Sequence, residues 1–400
     1  MQRRSLAIIY LTIFIDLLCV GMVIPVLPGL IVTDLAKPEY MVGIVASIVP
    51  FTQFLFAPIW GSKSDEIGRK PIMLLSITVN FFACLMFANS EKLIMLVLSR
   101  ILSGIGSANF ATAQAYVSDI SPPEIRTKNI GIVSSAFGLG FILGPGLGGL
   151  LKTHGGIEAI GFVTALLCLI NLYTVWKYMP ETNKTAGIKS RNSFQEIIKE
   201  IKTSLADRSM RILFLIHALF IASFGMMQIS SPLLWKQKYG LSEDQIGYMF
   251  SFIGLCSILV QGILVGRFKS ILGEKMMMVC GCLVMMLGLL IFPNISTNSF
   301  MPMGLVIVLV ISIANGLIIP AANTLVSRKA DKDKQGAVLG ALQSFSSLSR
   351  TAGPLLSGYL FMLFYPLPFY TGAGIMFFCL IMALVDFRKG EIRCLRNNIK

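Results

Sequence analysis

The chain has 400 residues, of which 55% are hydrophobic and 14% are charged, and its mean hydropathy is +0.76. Soluble domains carry about 25% charged residues, so this composition excludes an ordinary soluble protein, a disordered tail and a disulfide-rich scaffold. At about 20 residues per crossing, about twelve membrane helices would occupy roughly 240 residues. The remainder suffices for loops but not for a soluble catalytic domain, so the function is expected within the helices.

Twelve apolar segments of helical length follow one another along the chain. The first six are residues 6–32, 41–60, 72–88, 93–117, 130–151 and 157–178. The second six are residues 212–235, 246–265, 276–292, 303–326, 336–364 and 367–387. The sequence therefore predicts an all-α integral membrane protein with two bundles of six helices. The predicted domains are an N-terminal bundle at 1–178, a cytoplasmic linker at 179–210, and a C-terminal bundle with a cytoplasmic tail at 211–400.

The net charge of +14 reflects 34 Lys and Arg residues against 20 Asp and Glu residues. With the first residue in the cytoplasm, most of the basic residues fall in cytoplasmic segments. Lys177 lies at the cytoplasmic end of the sixth predicted helix, and only Arg100 and Arg350 lie deep inside predicted helices. This bias follows the positive-inside rule, and attraction to anionic lipid can add to it. We therefore expect a multi-pass protein of the plasma (inner) membrane with both termini cytoplasmic and no nucleic-acid partner.

The first apolar segment is too long for the core of a signal peptide and contains Asp16, so we predict a membrane helix there. In the linker, residues 193–206 have apolar side chains at helical spacing. That pattern predicts either a helix lying on the membrane surface or a solvated linker with a helical turn or two.

The sequence contains no recognisable pattern of catalytic residues. It contains no phosphate-binding loop of the form G-x-x-x-x-G-K-[ST]. Most of the eight cysteines lie in apolar segments, where they are typical of small core residues rather than of a disulfide or metal framework. His217 in the seventh helix is more typical of helix packing than of a proton relay. We expect no enzyme activity, no cofactor and no metal site.

The two halves of the sequence repeat each other. A shift of 209 residues places Gly144-Pro145 on Gly353-Pro354, and a shift of 205 residues places Gly68 on Gly273. An even number of helices in each half keeps the halves parallel, so a pseudo-symmetry axis along the membrane normal is expected. Two such bundles can enclose a central cavity.

The turn between the second and third helices reads GSKSDEIGRKP. A turn this short needs the torsional freedom of glycine, and Asp65 can accept hydrogen bonds from helix N-terminal amides or pair with a basic side chain. A tight, positively charged loop would explain the basic residues but not the glycines, which recur in the second half. The candidate gating residues are Gly61, Asp65, Gly68, Arg69, Lys70, Asp119 and Arg126.

This pattern resembles the cytoplasmic signature of the major facilitator superfamily. The resemblance implies that Asp65 and Arg69 belong to a conformational latch between helix bundles and not to a substrate site.

The fifth helix carries the string GLGFILGPGLGG. Glycines at every fourth position give a smooth face for close helix packing, which is physically true whatever the function, and the proline interrupts the hydrogen-bond ladder. The string also resembles the antiporter signature of drug:proton exporters in the same superfamily, which implies export. The residues of this motif are Gly140, Gly144, Pro145, Gly148 and Gly149.

Two ionisable residues, Asp16 and Arg100, lie at similar predicted depth in the first and fourth helices. Charges inside a membrane are costly, and they usually pair or line a wet cavity, so we predict that these two residues are partners. One interpretation is that Asp16 carries the coupling proton and Arg100 favours its ionised form in one state. The other is a static ion pair that fixes the two helices.

The substrate cavity is expected to use polar side chains of the helices. Arg350 has Asp16, a backbone carbonyl, a polar side chain or an anionic substrate as its predicted partners. Buried amides can either bind cargo or join helices. The candidates are Gln53, Gln114, Gln228, Gln261, Asn315, Gln343 and Arg350.

The segment DLLCVGMVIPVLPGL in the first helix and the segment IPAANTLVSR in the tenth resemble tetracycline efflux proteins. Exporters of tetracycline–metal chelates use acids in the third and ninth helices, where this chain has none, so an apolar or cationic amphiphile is the expected cargo. The sequence thus predicts a monomeric secondary transporter that exports small amphiphilic molecules in exchange for protons. The alternatives are a proton-coupled transporter of a metabolite or siderophore and a non-transporting receptor or scaffold.

Overall fold

The computed structural model describes residues 2–182, 202–203, 205–330 and 335–398. These residues form helices and turns, with no strand among them. The predicted surface helix at 193–206 lies largely outside the described residues. The predicted division of the chain at the 179–210 linker therefore stays a prediction.

The described residues form two compact units. The first unit comprises the described parts of 1–198 and 240–254. Its helices are α1 (Gln2–Val23), α2 (Tyr40–Ile67), α3 (Arg69–Ala88), α4 (Leu93–Gly106), α5 (Phe110–Ile120) and α6 (Pro123–Tyr178).

Prolines and glycines interrupt the helices of this unit. Helix α1 ends at Val23, shortly before two prolines, and the chain continues as a short π-helical turn, Gly29–Asp34. The predicted fourth helix is two helices, α4 and α5, separated by residues 107–109. Helix α6 contains both the fifth and the sixth predicted helices and breaks at Gly155 and Gly156, where Gly156 has a φ of 70°. Glycine reaches this left-handed region without a steric penalty.

The second unit comprises the described parts of 199–239 and 255–400. Its helices are α7 (Arg208–Tyr239), the end of α8 (Glu243–Leu259), α9 (Val265–Ile291), α10 (Phe300–Lys329), α11 (Gln335–Leu363) and α12 (Leu367–Asn398). A π-helical turn, Val260–Leu264, joins α8 to α9, and α9 breaks at Gly273 with a φ of 69°. The eighth predicted helix, 246–265, therefore continues through the π-helical turn into the first part of α9, which breaks at Gly273.

Nine helical stretches of the described residues are long and apolar enough to cross a membrane. They are Arg4–Val23, Tyr40–Ile67, Arg69–Ala88, Leu93–Ile120, Leu143–Tyr178, Arg208–Tyr239, Val265–Asn294, Thr297–Lys329 and Leu367–Asp386. The predicted segments 130–151, 246–265 and 336–364 are helical but are not among these nine. A total of twelve crossings stays a prediction.

Apolar side chains fill the interior of the first unit and also cover its outer surface. Ile9, Met73 and Tyr116 are fully buried in a core formed by α1, α3, α5 and α6. Phe162 and Trp176 are large and exposed. Exposed apolar surface of this extent would promote aggregation in water but suits contact with lipid tails.

Candidate functional site

Asp16 is the buried acid of α1, with 0% of its surface exposed, and it lies between two asparagine amides. The Nδ2 of Asn109 donates to Asp16 Oδ2 at 2.7 Å, and the Nδ2 of Asn80 donates to Asp16 Oδ1 at 3.3 Å. Both carboxylate oxygens therefore accept a hydrogen bond. These bonds offset part of the free-energy cost of burying a charge.

Asn109 reaches Asp16 because the chain leaves the helical path between α4 and α5. Asn109 is the residue before α5 begins, a position where asparagine commonly caps its own helix. Here it makes no side-chain cap bond and donates to Asp16 and, at 3.2 Å, to Ser76 Oγ. Its Oδ1 is buried and has no hydrogen-bond partner among the described residues.

A hydroxyl group extends the network to α4. Ser103 Oγ donates to Asn80 Oδ1 at 3.3 Å, so the amide that contacts Asp16 is itself held by a hydrogen bond. The network joins α1, α3, α4 and the start of α5. Its members are Asp16, Ser76, Asn80, Ser103 and Asn109.

Asp16 and Arg100 do not form an ion pair in this structure, since the salt bridges among the described residues involve neither of them. Their predicted partnership in proton coupling stays a prediction. The guanidinium carbon of Arg100 lies 4.6 Å from the centre of the Phe87 ring, and Arg100 Nε donates to Ser99 Oγ at 3.3 Å. Similar depth in the membrane led to the predicted pairing. Depth does not fix the rotation of either helix about its axis, and the amides occupy both oxygens of the carboxylate.

The predicted gating residues Asp65, Arg69 and Asp119 form a charged cluster at the ends of α2, α3 and α5. Arg69 Nη1 lies 2.5 Å from Asp65 Oδ1, and Arg69 Nε lies 3.1 Å from Asp119 Oδ2. Arg69 Nη1 also donates to Ser64 Oγ at 2.6 Å. The Arg69 side chain is only 10% exposed, so solvent screens these contacts less than it screens a surface ion pair.

Glu181 joins this cluster, although no sequence motif pointed to it. Its Oε1 accepts a hydrogen bond from the backbone N–H of Arg69, and its Oε2 accepts one from Lys70, each at 3.0 Å. A carboxylate suits this place because the first N–H groups of a helix lack partners within the helix. Thr182, the next residue, donates to Asp119 Oδ2 at 3.2 Å. The chain that follows α6 is thereby fastened to the gating cluster.

The remaining gating candidates have different surroundings. Gly68 has a φ of 114°, a conformation that favours glycine, and Lys70 Nζ donates to the carbonyl of Trp176 at 2.8 Å. Gly61 faces Ala111 on α5. The side chain of Arg126 lies outside the described part of the structure.

The second unit contains an ion pair at the equivalent turn with the charges exchanged. Glu274 Oε1 lies 3.0 Å from Arg328 Nη2 on α10 and 3.6 Å from Lys269 Nζ. By the two shifts of the repeat, Glu274 corresponds to Arg69 and Arg328 corresponds to Asp119. The repeat therefore preserves the contact between the two elements while reversing its polarity.

The glycines of the fifth-helix motif bring the backbone of α6 against α1. A methyl group on Gly144 would lie 2.6 Å from the Cα of Gly21, and one on Gly140 would lie 2.5 Å from the carbonyl oxygen of Phe14. A methyl group on Gly148 would overlap the carbonyl oxygen of Met22. The helix that carries Asp16 therefore packs directly on this motif.

The last motif glycine has a different neighbour, whereas the motif proline also packs on α1. Gly149 faces Gly247 at the beginning of α8, and a methyl group on Gly149 would collide with the Gly247 backbone. Pro145 lies close to Gly21 on α1.

The polar candidates for the substrate cavity are mostly half-buried. Gln53 Nε2 lies 3.5 Å from the carbonyl oxygen of Ser107, and Arg350 Nη2 donates to Ser347 Oγ at 2.8 Å. Asn315 is 9% exposed, and its Oδ1 has no partner among the described residues. The half-buried glutamines among the candidates are Gln53, Gln114, Gln228 and Gln343. The side chain of Gln261 lies outside the described residues, and that of His217 is buried with its Nδ1 2.9 Å from Ser346 Oγ.

Comparison with known proteins identifies the family. Residues 9–234 and 213–392 match the Major Facilitator Superfamily, so the chain belongs to this superfamily of multi-pass membrane transporters. It is 28% identical to the tetracycline resistance protein, class C, of Escherichia coli, over 89% of this chain and 89% of that protein. It is 26% identical to the major facilitator superfamily domain-containing protein 10 of Bos taurus, over 89% of this chain and 87% of that protein.

A solved structure shares the fold along most of the chain. The crystal structure of the human organic anion transporter MFSD10 (TETRAN) matches with a TM-score of 0.72 and 26% identity, covering 96% of this chain and 99% of that one. The resemblance to the superfamily and to tetracycline efflux proteins that the sequence predicted is confirmed. The protein is therefore a membrane transporter of small molecules.

Proposed function

We propose that this transporter exports small amphiphilic molecules in exchange for protons, by alternating access between two six-helix bundles of the plasma membrane. The observation that supports this most is the fully buried carboxylate of Asp16, which among the described residues is held by the amides of Asn80 and Asn109. An ionisable group inside a membrane is expensive and is typical of an ion pathway. In this proposal the protein works as a monomer, with both termini in the cytoplasm.

The Asn109 amide can satisfy both protonation states of Asp16. The ionised carboxylate only accepts hydrogen bonds, and Asn109 Nδ2 and Asn80 Nδ2 supply them. A protonated Asp16 has an O–H that must donate. Rotation of the Asn109 amide by half a turn presents its Oδ1, which has no partner among the described residues, as the acceptor. Neither state then leaves the carboxyl group without a hydrogen bond.

Arg100 acts in this proposal when the helices change their packing. It is one helical turn from Ser103, which holds Asn80 against Asp16. A rotation of α4 relative to α1 would therefore exchange contacts in the same network. We propose that Arg100 approaches Asp16 in another conformational state and promotes release of the proton.

The proposed direction of transport rests on the resemblance of the fifth-helix glycine motif to the antiporter signature. The glycine motif, which resembles the antiporter signature, lets these helices approach without side chains between them, and it supports a role in exchange. The cluster of Asp65, Arg69 and Asp119, where α2 ends and α3 begins, suits a latch that opens and closes once in each transport cycle.

The cargo is proposed to be an amphiphile without a metal ion. Segments 72–88 and 276–292 contain no acid that could contact a metal chelate. One relative is a tetracycline resistance protein and another is an organic anion transporter, so the relatives do not point to a single class of cargo. Arg350, a cation on α11, favours an organic anion as a second candidate.

Inverted membrane vesicles with an acid interior test the proposal. We expect added lipophilic cations, phenicols, tetracyclines or organic anions to evoke proton release, and we expect Asp16→Asn vesicles with equal amounts of protein to show none. Proton-driven loss of a metabolite from preloaded vesicles, with no response to these compounds, would instead indicate import. Absence of any flux together with tight binding of a soluble protein would indicate a receptor or scaffold.

A further inference from the structure

Three cysteines from three helices of the first unit come together in the interior. Cys19 lies on α1, Cys84 on α3 and Cys168 in the second part of α6, and their Sγ atoms all lie within 4.8 Å of one another. Their residues are 4%, 6% and 1% exposed. Packing of small side chains alone would not require the three sulfur atoms to lie this close together.

The size of this triangle suits a metal ion. A zinc–sulfur bond of about 2.3 Å places three sulfur atoms about 4.0 Å apart when the ion lies in their plane. Larger soft ions need a wider triangle, and the sulfur atoms here lie within 4.8 Å of one another. Thiolate ligands select soft or borderline ions over the hard ions magnesium and calcium.

The charge near the sulfur atoms also favours a divalent ion. Arg100, whose partners are an aromatic ring and a serine, interacts electrostatically with both Cys84 and Cys19. Asp16 interacts electrostatically with Cys19 and Cys84 as well. With Asp16 protonated, three thiolates, one guanidinium and one divalent cation have a net charge of zero. Neutrality matters because a net charge in a low-dielectric interior carries a large free-energy cost.

We propose that Cys19, Cys84 and Cys168 form a binding site for one soft divalent metal ion, of which Cd(II) is a convenient representative. On binding, three S–H bonds break, three sulfur–metal bonds form, and three protons leave for the solvent. No oxidation is involved. In the metal-free protein, the Cys19 thiol faces the carbonyl oxygen of Thr164 at 3.9 Å. The bound ion would join α1, α3 and α6, and so it would stabilise the helix that carries Asp16.

The test uses the purified full chain in lipid nanodiscs and Cd(II) alone as the probe. A cluster-only chain has Cys256, Cys280, Cys282, Cys379 and Cys394 replaced by alanine. A cluster-free chain keeps these five residues and carries Cys19→Ala, Cys84→Ala and Cys168→Ala. Long incubation is needed because the thiols are buried. The readouts are the ultraviolet charge-transfer absorption of sulfur–cadmium bonds, the protons released per ion, and the melting temperature.

We expect the cluster-only chain to bind one Cd(II), to release about three protons and to melt at a higher temperature with the ion, as linkage requires. Cys84→Ala in that background should lose at least tenfold in affinity and about a third of the absorption. A folded cluster-only chain without sulfur–cadmium absorption would overturn the proposal, as would equal binding by the cluster-free chain. If the five replacements prevent folding, the parent chain compared with the cluster-free chain gives the same contrast. Proton-coupled transport enters none of these readouts, so the result is independent of the proposed function.

Discussion

Asn109 shows how a residue acquires a role from a break in a helix. It lies where α4 and α5 are interrupted, and its amide contacts Asp16 instead of capping α5. The sequence predicted one continuous helix here, and in such a helix the side chain at this position would point elsewhere. The two glycines and two serines that precede Asn109, in SGIGSAN, are the sequence signal for the interruption.

Replacing Asn109 by leucine tests the amide directly. The variant removes a hydrogen bond to a buried charged group, and such bonds contribute about 1.5–3 kcal/mol. We expect proton-coupled exchange to fall at least tenfold, measured as substrate-evoked proton release. The matched control is Asn171→Leu, because Asn171 is equally buried but accepts a hydrogen bond from Thr12 and does not contact Asp16. An equal loss in both variants at equal melting temperature would contradict the assignment.

At the scale of helices, the packing of α6 on α1 requires glycine at particular positions. Gly148 has the backbone of Met22 where its side chain would lie. The periodicity of the motif predicted a smooth face, but it did not say which helix that face contacts. That information depends on the rotation of each helix and on its neighbours, which a periodic pattern alone does not encode.

Gly148→Ala should therefore destabilise the first unit. Forcing an extra methyl group into close packing costs about 1–3 kcal/mol, so we expect a lower melting temperature and slower exchange. Gly374→Ala on α12 is the control, because an added methyl group there meets nothing within 4 Å. Unchanged melting of the Gly148 variant would show that α1 and α6 are not in close contact.

The two ion pairs of opposite polarity should differ in strength. The Arg69 side chain is 10% exposed and has two acidic partners, whereas the Arg328 side chain is 63% exposed. Exposed ion pairs contribute about 0–1 kcal/mol. Double-mutant cycles to alanine should therefore give a coupling energy above about 1 kcal/mol for Arg69 with Asp119 and a smaller one for Glu274 with Arg328. Equal coupling energies would contradict a dominant latch in the first unit.

Across the whole molecule, the sequence was sufficient for the membrane class, the all-helical fold and the superfamily, but it did not predict the break between α4 and α5. Hydropathy and the glycine motifs are local properties of the chain, so they can be recognised from the sequence alone. The partners of Asp16, the role of Glu181 and the meeting of Cys19, Cys84 and Cys168 could not be predicted. Each depends on contacts between distant segments, and a single sequence gives neither helix rotation nor the neighbours of a loop.

The most direct test of the account is transport by the purified protein reconstituted in liposomes, comparing the parent chain with Asp16→Asn. With an acid interior, the parent should accumulate substrate and release protons. The variant should do neither, yet it should still exchange labelled for unlabelled substrate when no pH gradient is present, because that exchange moves no net proton. Proton-driven accumulation by Asp16→Asn at the rate of the parent would contradict the central claim that Asp16 carries the coupling proton.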